Sequence, residues 1–311
     1  MQEQQHITYT DDEIDLRELF GAICAGKWLI LFVTSIFTIG SVIYALQLPD
    51  IYKSEVILAP TEDGGLKVPG QLGGLAALAG VNLGSSTGGD KISLALEILK
   101  SRDFIGRFIE KNDLYLPIMA ATGWNRADNQ LILDADIYNI NTQQWVRQVQ
   151  TPFQPEPSNQ ETVEEFKKLF SVSQDKNSGM IKISVEHFSP YLANNWVRSL
   201  VNGINEEIRA RELNEAERSI VFLNQQIEKT KLSDVRAMLF SLIEEQTKTL
   251  MLANVRDEYV FKIVDPSVVA ERKVKPARSV ICIIGLILGV IISMLVVIFR
   301  YISNKESGKE I

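Results

Sequence analysis

Two long apolar runs without a charged residue, one near each end of the chain, constrain this sequence most strongly. The first, WLILFVTSIFTIGSVIYALQL, occupies residues 28–48, and the second, SVICIIGLILGVIISMLVVIF, occupies residues 279–299. As an α-helix each run would be roughly 31 Å long, which matches the hydrocarbon thickness of a bilayer. Core helices of soluble proteins rarely stay free of charge over that length. We therefore predict two transmembrane helices.

The region before the first run argues against a cleaved signal peptide. It contains TYTDDEIDLRELF, which is long and acidic, whereas a signal peptide begins with a short basic region. The exit from the run, Tyr44 to Pro49, contains no small-x-small cleavage site. We expect the first run to stay as an anchor, so that both termini lie on one side of the membrane.

Charge flanking the runs says little about orientation, because basic residues are nearly balanced on the two sides. One side has Arg17, Lys27, Arg300, Lys305 and Lys309, and the other has Arg272, Lys273, Lys275 and Arg278. The intervening segment is too long for its charges to decide the matter, and we expect it to be translocated whole, with the termini in the cytoplasm.

Charge and cysteine content exclude several classes of function. The formal net charge is -7, so the chain lacks the basic surface with which proteins neutralise nucleic-acid phosphates. The two cysteines, Cys24 and Cys282, lie in or beside the apolar runs. This placement indicates neither a disulfide framework nor a cysteine-ligated zinc site, and we interpret both as small apolar side chains.

Short β-patterned segments and one glycine-rich stretch organise the first part of the intervening domain. Strands are predicted at Tyr52–Ala59, ended by Pro60, at Met180–Val185 and at Tyr259–Val264. Residues 61–90 are rich in glycine, which predicts an irregular segment in which Leu75–Ala79 could form a short helix.

Helical patterns surround these strands. Apolar residues at helical spacing predict one amphipathic helix over Ile92–Ile109 and a short one over Thr162–Phe170. Residues 121–160 are polar, with the proline-rich TPFQPEPSNQ, and are interpreted as surface loop. Strands close to both membrane entries favour a small α/β base with helices rising from it.

A helical pattern of about 60 residues begins at Ser189-Pro190, with serine as cap and proline in the first turn. A helix over Tyr191–Thr230 would be roughly 60 Å long, more than a compact domain needs, so we expect it to project from the membrane. The sequence EKTKLSD marks either a phase shift in one helix or a turn between two. A heptad-like apolar seam comprises Leu213, Ala216, Ile220, Leu223 and Ile227. This seam fits packing either against the chain's own helices or against neighbouring subunits.

Small residues recur along one face of the second apolar run, at Gly285, Gly289 and Ser293. Small side chains at this spacing allow two membrane helices to approach closely. The alternative is that glycine is simply common in membrane helices. We expect these residues, with Pro276 ahead of the run, to contribute to packing in the membrane region.

Sequence signals for catalysis and metal binding are weak. Gly21 to Lys27 matches the first seven positions of a phosphate-binding loop, but Trp28 stands where Ser or Thr should hold Mg²⁺, and no strand precedes it. His6 and His187 have no metal-ligand partners at suitable spacing, and we interpret His187, just past a strand, as a surface residue. We therefore expect no catalytic residue, no cofactor and no metal site.

Several segments together resemble the Wzz-type chain-length determinants, the polysaccharide co-polymerases. The resemblance covers nearly the whole chain and departs from the family in having few prolines near the second run. It is carried by Asp12–Leu19 before the first run, Tyr52-Lys53-Ser54, the "LKSR-F" helix Leu96–Phe108, Val264-Asp265-Pro266 and Lys275-Pro276-Ala277-Arg278.

The resemblance implies an α+β membrane protein of the Gram-negative inner membrane. Its implied organisation is a cytoplasmic segment 1–27, a transmembrane helix 28–48, a periplasmic domain 49–278 with an α/β base and long helices, a transmembrane helix 279–299 and a cytoplasmic tail 300–311. About a dozen residues follow the second run, so we expect the branch of the family without a tyrosine-kinase domain.

The function implied by the resemblance is non-catalytic. Such proteins form homo-oligomers and set the modal length of O-antigen or a related lipid-linked polysaccharide made by a Wzy-type polymerase. The expected partners are therefore other copies of the chain, the polymerase, the growing glycan and membrane lipids, with no nucleic acid. Two alternatives stay open: an export adaptor that works with a separate kinase, and a periplasmic ligand sensor.

Overall fold

The computed structural model describes residues 26–61 and 88–307. It divides into two units, one formed by the two ends of the chain and the other by Asp50–Val274. Along the chain the helices and strands are α1 Lys27–Gln47, β1 Tyr52–Pro60, α2 Gly88–Lys100, α3 Arg102–Asn112, α4 Tyr115–Met119, β2 Ala121–Asn125, β3 Gln130–Leu133, β4 Tyr138–Asn139, β5 Gln144–Trp145, α5 Asn159–Leu169, β6 Phe170–Gln174, β7 Ile181–His187, α6 Pro190–Lys229, α7 Ser233–Val255, β8 Phe261–Asp265 and α8 Arg278–Ser307.

The first unit consists of the two apolar helices, α1 and α8. Both are long and apolar enough to cross a membrane, and few of their residues are buried against protein. Each helix begins one residue before the corresponding predicted span, and α8 continues beyond residue 299 to Ser307. Apolar side chains that stay exposed over this length are unlike those of a soluble core helix.

The second unit contains a four-stranded antiparallel sheet with the strand order β6-β7-β1-β8. Strands β1 and β7 pair from Tyr52 opposite His187 to Leu58 opposite Ile181. Alternate residues of β1 point to opposite faces, so that Val56 and Leu58 are buried. One face of the sheet therefore supports the core.

The core forms where α6 and the shorter helices cover this face. The fully buried side chains include Trp196 and Leu200 of α6, Phe166 of α5, Ile105 of α3 and Ile183 of β7. Only the first half of α6 contributes densely to this core, because from Arg209 onward its buried residues are Ala216 and Ile227. The predicted class is thus confirmed: a mixed helix-and-sheet domain lies between two terminal apolar helices, and its long helix extends beyond its own core.

Two predicted elements are wrong in detail. The single helix expected over Ile92–Ile109 is broken at Ser101, whose extended backbone and side-chain oxygen cap α3 by accepting a hydrogen bond from the Phe104 N–H. Serine favours such caps over helix interiors because its hydroxyl competes for backbone hydrogen bonds.

The second correction concerns the polar region 121–160, which is not all loop. It contains the two small hairpins β2–β3 and β4–β5, and it also includes the first two residues of α5. Strand β6, which pairs with β7, also begins where the helix prediction ended, at Phe170. Its alternation of Phe170 and Val172 with serines is the period-two signal of a strand, which the helix prediction overlooked. The short helix predicted at Leu75–Ala79 lies outside the described residues.

The long-helix prediction is close to the structure, and the ambiguity at EKTKLSD resolves into a turn. Helix α6 contains 40 residues and ends at Lys229, and α7 begins at Ser233. Both helices pack along each other. We call α6 and α7 together the helical hairpin.

Candidate functional site

Close approach of α1 and α8 occurs at the two glycines of α8. A Cβ atom built on Gly285 would lie 2.4 Å from the Cβ atom of Ser41. A Cβ atom on Gly289 would lie 2.9 Å from the Cβ atom of Phe37 and 3.1 Å from the Cα atom of Thr34. The distances to the Cβ atoms of Ser41 and Phe37 are shorter than a carbon–carbon contact allows, so any larger residue at either glycine would push the helices apart.

Small hydroxyl side chains of α1 lie at this approach or within one helical turn of it, and each donates a hydrogen bond to a carbonyl of its own helix. The hydroxyl groups of Thr34 and Thr38 donate to the carbonyls of Ile30 at 2.6 Å and Thr34 at 2.8 Å. The Ser41 hydroxyl donates to the Thr38 carbonyl at 2.8 Å. Satisfied hydroxyls avoid the cost of an unpaired polar group in lipid.

The other two predicted membrane residues lie at different places. Ser293 is fully buried on α8, and its hydroxyl donates to the Val290 carbonyl at 2.8 Å. Pro276 precedes α8 and is not part of the helical ridge; its carbonyl accepts from the Arg278 N–H at 2.9 Å. The structure therefore brings Gly285, Gly289 and Ser293 onto one helix and leaves Pro276 at its entry.

The predicted seam of α6 lies partly inside the helical hairpin. Leu213 is half-buried and packs against the core cluster, while Ile227 is buried. Ile220 and Leu223 are half-buried. On the facing helix, Leu239 and Ala253 of α7 are the buried residues. Since α6 and α7 pack along each other, a large part of this seam has a partner within the chain.

Large apolar side chains outside the seam remain exposed on the same hairpin. Phe222 is 59% exposed and Phe240 is 53% exposed. The other exposed members are Val221, Met238, Met251 and Val255, and Leu232 in the turn is exposed as well. Heptad spacing does not reveal these residues, although Val221 and Phe222 directly follow the seam residue Ile220. An exposed apolar surface of this kind is typical of a protein–protein contact.

Charged side chains dominate the part of α6 nearer the core. Arg107 of α3 contacts Glu207 at 2.9 Å and Asp103 at 2.9 Å. The hydrogen bond to Glu207 raises the pKa of Arg107, and the hydrogen bond from Arg107 lowers the pKa of Glu207. Arg211 adds a second contact to Glu207 at 2.8 Å. These ion pairs connect α3 to α6, and the lowered pKa of Glu207 is the opposite of the raised pKa that suits a general acid.

His187 is buried, so its interpretation as a surface residue is wrong. The side chain is 3% exposed and lies on the same inward face of β7 as Ile183 and Val185. Its Nδ1 atom accepts from the Ser189 N–H at 3.1 Å, and its Nε2 atom lies 3.0 Å from the Pro117 carbonyl. Burial lowers the pKa of His187. The period-two alternation of β7 was the signal for this burial.

Within residues 26–61 and 88–307, no group of three His, Cys, Asp or Glu side chains could hold a metal ion. The arrangement that the described residues do present is structural: a close helix pair, a helical hairpin with exposed apolar residues, and ion pairs that tie α6 to the core.

Two models of known protein families match parts of this chain. Residues 12–112 match the model of the Wzz family, described as "Chain length determinant protein". This match places a Wzz-type chain length determinant domain in the first part of the chain. The match covers α1, β1, α2 and α3, and it includes the segments Asp12–Leu19, Tyr52–Ser54 and Leu96–Phe108 in which the resemblance was recognised.

A second family model, described as "G-rich domain on putative tyrosine kinase", matches residues 233–302. Among solved structures, the chain is similar to a "full-length bacterial polysaccharide co-polymerase" at 13% identity, with a TM-score of 0.39, over 94% of this chain and 99% of that one. It is also similar to a fragment of WzzB, a polysaccharide co-polymerase from Salmonella Typhimurium, at 13% identity and a TM-score of 0.28, over 73% of this chain and 100% of that one.

Proposed function

We propose that this protein, with its Wzz-type domain, is a non-catalytic regulator of the Gram-negative inner membrane that sets the modal length of a surface polysaccharide. The polymer would be lipopolysaccharide O-antigen, or a related lipid-linked glycan, made by a Wzy-type polymerase. The observation that carries this proposal is the match of residues 12–112 to the chain length determinant model. A scaffold of this kind would act through geometry and assembly.

The proposed topology follows from the two apolar helices. Residues 28–48 and 279–299 would span the inner membrane, with 1–27 and 300–311 in the cytoplasm and 49–278 in the periplasm. Helices α1 and α8 support this division because both are long, apolar and largely exposed. Every unsatisfied backbone group would be costly in lipid, and a continuous helix satisfies them internally.

The proposed assembly is a homo-oligomer formed through the helical hairpin. The exposed apolar residues of α6 and α7, including Phe222 and Phe240, support it, because burial between copies would remove them from water. In the membrane, Gly285 and Gly289 would set the spacing of α1 and α8 and therefore the surface that this helix pair presents to the polymerase.

One observation favours a second candidate, an export adaptor that works with a separate kinase. The G-rich model that matches residues 233–302 is described from putative tyrosine kinases. A chain that resembles the membrane part of such proteins could pair with a kinase encoded apart from it. The two candidates predict different losses, because an adaptor is needed for glycan to reach the surface and a length regulator is not.

A gene deletion separates the two candidates. If the chain regulates length, lipopolysaccharide from the deletion strain loses its clustering around one length on a gel, and a plasmid copy restores that clustering. Clustering that persists without the gene would contradict length control. Loss of all surface glycan, measured by whole-cell antibody binding, would instead support the adaptor.

A further inference from the structure

Four side chains fasten α6 to neighbouring segments at the point where the helix leaves the core. They are Lys91 of α2, Asn205 and Glu212 of α6, and Tyr259 in the connection between α7 and β8. We call this set the α6 joint. Beyond it, α6 extends toward its turn with α7, and its only buried residues there are Ala216 and Ile227.

Asn205 forms the inner attachment. The side chain is 6% exposed, and its Oδ1 atom accepts from the backbone N–H groups of Val260 at 2.9 Å and Phe261 at 3.0 Å. Its Nδ2 atom donates to the Phe261 carbonyl at 3.1 Å. Three buried hydrogen bonds from one amide join α6 to the start of β8, and a side chain of another shape would leave some of these groups unpaired.

Glu212 forms the outer attachment, about two helical turns and roughly 10 Å further along α6. Its carboxylate accepts from the Tyr259 hydroxyl and lies 2.7 Å from the Lys91 Nζ atom. The Lys91 ammonium also lies 4.4 Å from the centre of the Tyr259 ring. Tyr259 is only 4% exposed, so this charge-assisted contact is largely shielded from water.

Two attachment points separated along one helix axis resist tilting in a way that one point cannot. On the basis of the proposed function, we propose that the α6 joint fixes the direction of the helical hairpin relative to the sheet, and that this direction determines the glycan length that the assembly selects. Lys91, Asn205, Glu212 and Tyr259 are then positioning residues. A non-catalytic scaffold can specify length only through its geometry, and the α6 joint is where the direction of the helical hairpin is held.

Two conservative substitutions weaken the outer attachment without removing bulk. Tyr259→Phe deletes the hydroxyl and keeps the ring, and Glu212→Gln removes the charge that pairs with Lys91. Matched controls are Tyr191→Phe in the first turn of α6, where the side chain is 51% exposed, and Glu217→Gln at an exposed position of the same helix.

The direction of the hairpin can be measured by electron–electron distance spectroscopy on the full chain. Spin labels go on Lys231→Cys in the turn between α6 and α7 and on Lys168→Cys at the end of α5, in a Cys24→Ala/Cys282→Ala background diluted with unlabelled protein. We expect one narrow distance peak in the parent and both controls, and loss of that peak in Tyr259→Phe and Glu212→Gln. A peak that stays narrow in both variants would contradict the proposal that the α6 joint fixes the direction of the hairpin. Broadening accompanied by loss of helical circular dichroism would overturn it too, because unfolding would then be the cause.

The length effect is measured separately, on lipopolysaccharide ladders from strains that express each variant at equal membrane abundance. We expect Tyr259→Phe and Glu212→Gln to move the modal length to a new cluster, and the controls to keep it. An unchanged mode despite a broadened hairpin distance would refute the link between direction and length. If deletion of the gene leaves the ladder unchanged, the proposed function fails, while the distance measurement still decides the joint.

Discussion

At the scale of single residues, two sites show how packing determines which residue type can stand at a position. His187 is held neutral between the Ser189 N–H and the Pro117 carbonyl, against the ring of Trp196 at a centroid distance of 4.8 Å. Gly285 and Gly289 have no side chain at a place where α1 leaves room for none. In both cases the residue type follows from its neighbours.

Stability should fall in mild acid because of His187. Burial lowers its pKa below the ordinary value of 6.5, so the unfolded chain binds a proton more readily than the folded one. The contribution of His187 to the free energy of unfolding is complete above pH 6.5. It is lost as pH falls below that value, with a slope of at most about 1.4 kcal/mol per pH unit. Melting temperatures at pH 7.5, 6.5 and 5.5 would show the loss, and a His187→Gln variant should show a flatter profile over that range. An equal drop in that variant would contradict the assignment.

Gly285→Leu with Gly289→Leu should disrupt the α1–α8 pair. The added side chains would overlap Ser41, Phe37 and Thr34, and overpacking of this kind costs about 1–3 kcal/mol. We expect an altered or lost modal length on lipopolysaccharide gels, with membrane abundance checked by immunoblot. Gly40→Leu is the matched control, because a Cβ atom there meets nothing within 4 Å. A normal ladder from the double variant would refute the role of the two glycines.

At the scale of elements, the helical hairpin separates apolar residues into two groups by burial. Ile227 and Leu239 lie inside it, whereas Phe222 and Phe240 lie on its surface. The first group stabilises one chain, and the second is available to another copy. Substitutions in the first group should therefore reduce folding stability, and substitutions in the second group should reduce assembly.

Phe222→Ser with Phe240→Ser should weaken the homo-oligomer and leave the fold intact, because both side chains are more than half exposed. Native mass spectrometry in detergent would show smaller assemblies at an unchanged melting temperature. Ile227→Ser, inside the hairpin, should instead lower the melting temperature, with a cost of about 2–4 kcal/mol. Full-size assemblies from the double variant would rule out this surface as the subunit contact.

At the scale of the whole molecule, the proposed topology puts the long segment between the two apolar helices in the periplasm. A cysteine at Lys176, in the turn between β6 and β7, should react with an impermeant maleimide added to intact spheroplasts, in a background without Cys24 and Cys282. A cysteine at Gln5 should react only after the membrane is permeabilised. The reverse pattern would invert the proposed topology.

Much of this protein is readable from local sequence. A long run of apolar residues without a charge predicts a membrane helix in any sequence context, because each charged side chain adds its own free-energy cost in lipid. The 40-residue helix α6 and strands β1, β7 and β8 also follow from periodicity within each segment. The resemblance to the Wzz family was also recognisable from local sequence, in the short motifs at Asp12–Leu19 and Leu96–Phe108.

Tertiary structure decided what depends on distant residues. Strand β6 is defined by its pairing with β7. His187 is buried because helices cover its face of the sheet. The α6 seam faces α7 because the turn between the two helices folds α7 back onto α6. The α6 joint brings Glu212 to Tyr259, 47 residues away along the chain, and no pattern within either segment predicts the other. The sequence by itself determined the two apolar helices and the long helix, because hydropathy and helical periodicity are local properties. The contacts that orient the long helix are not local.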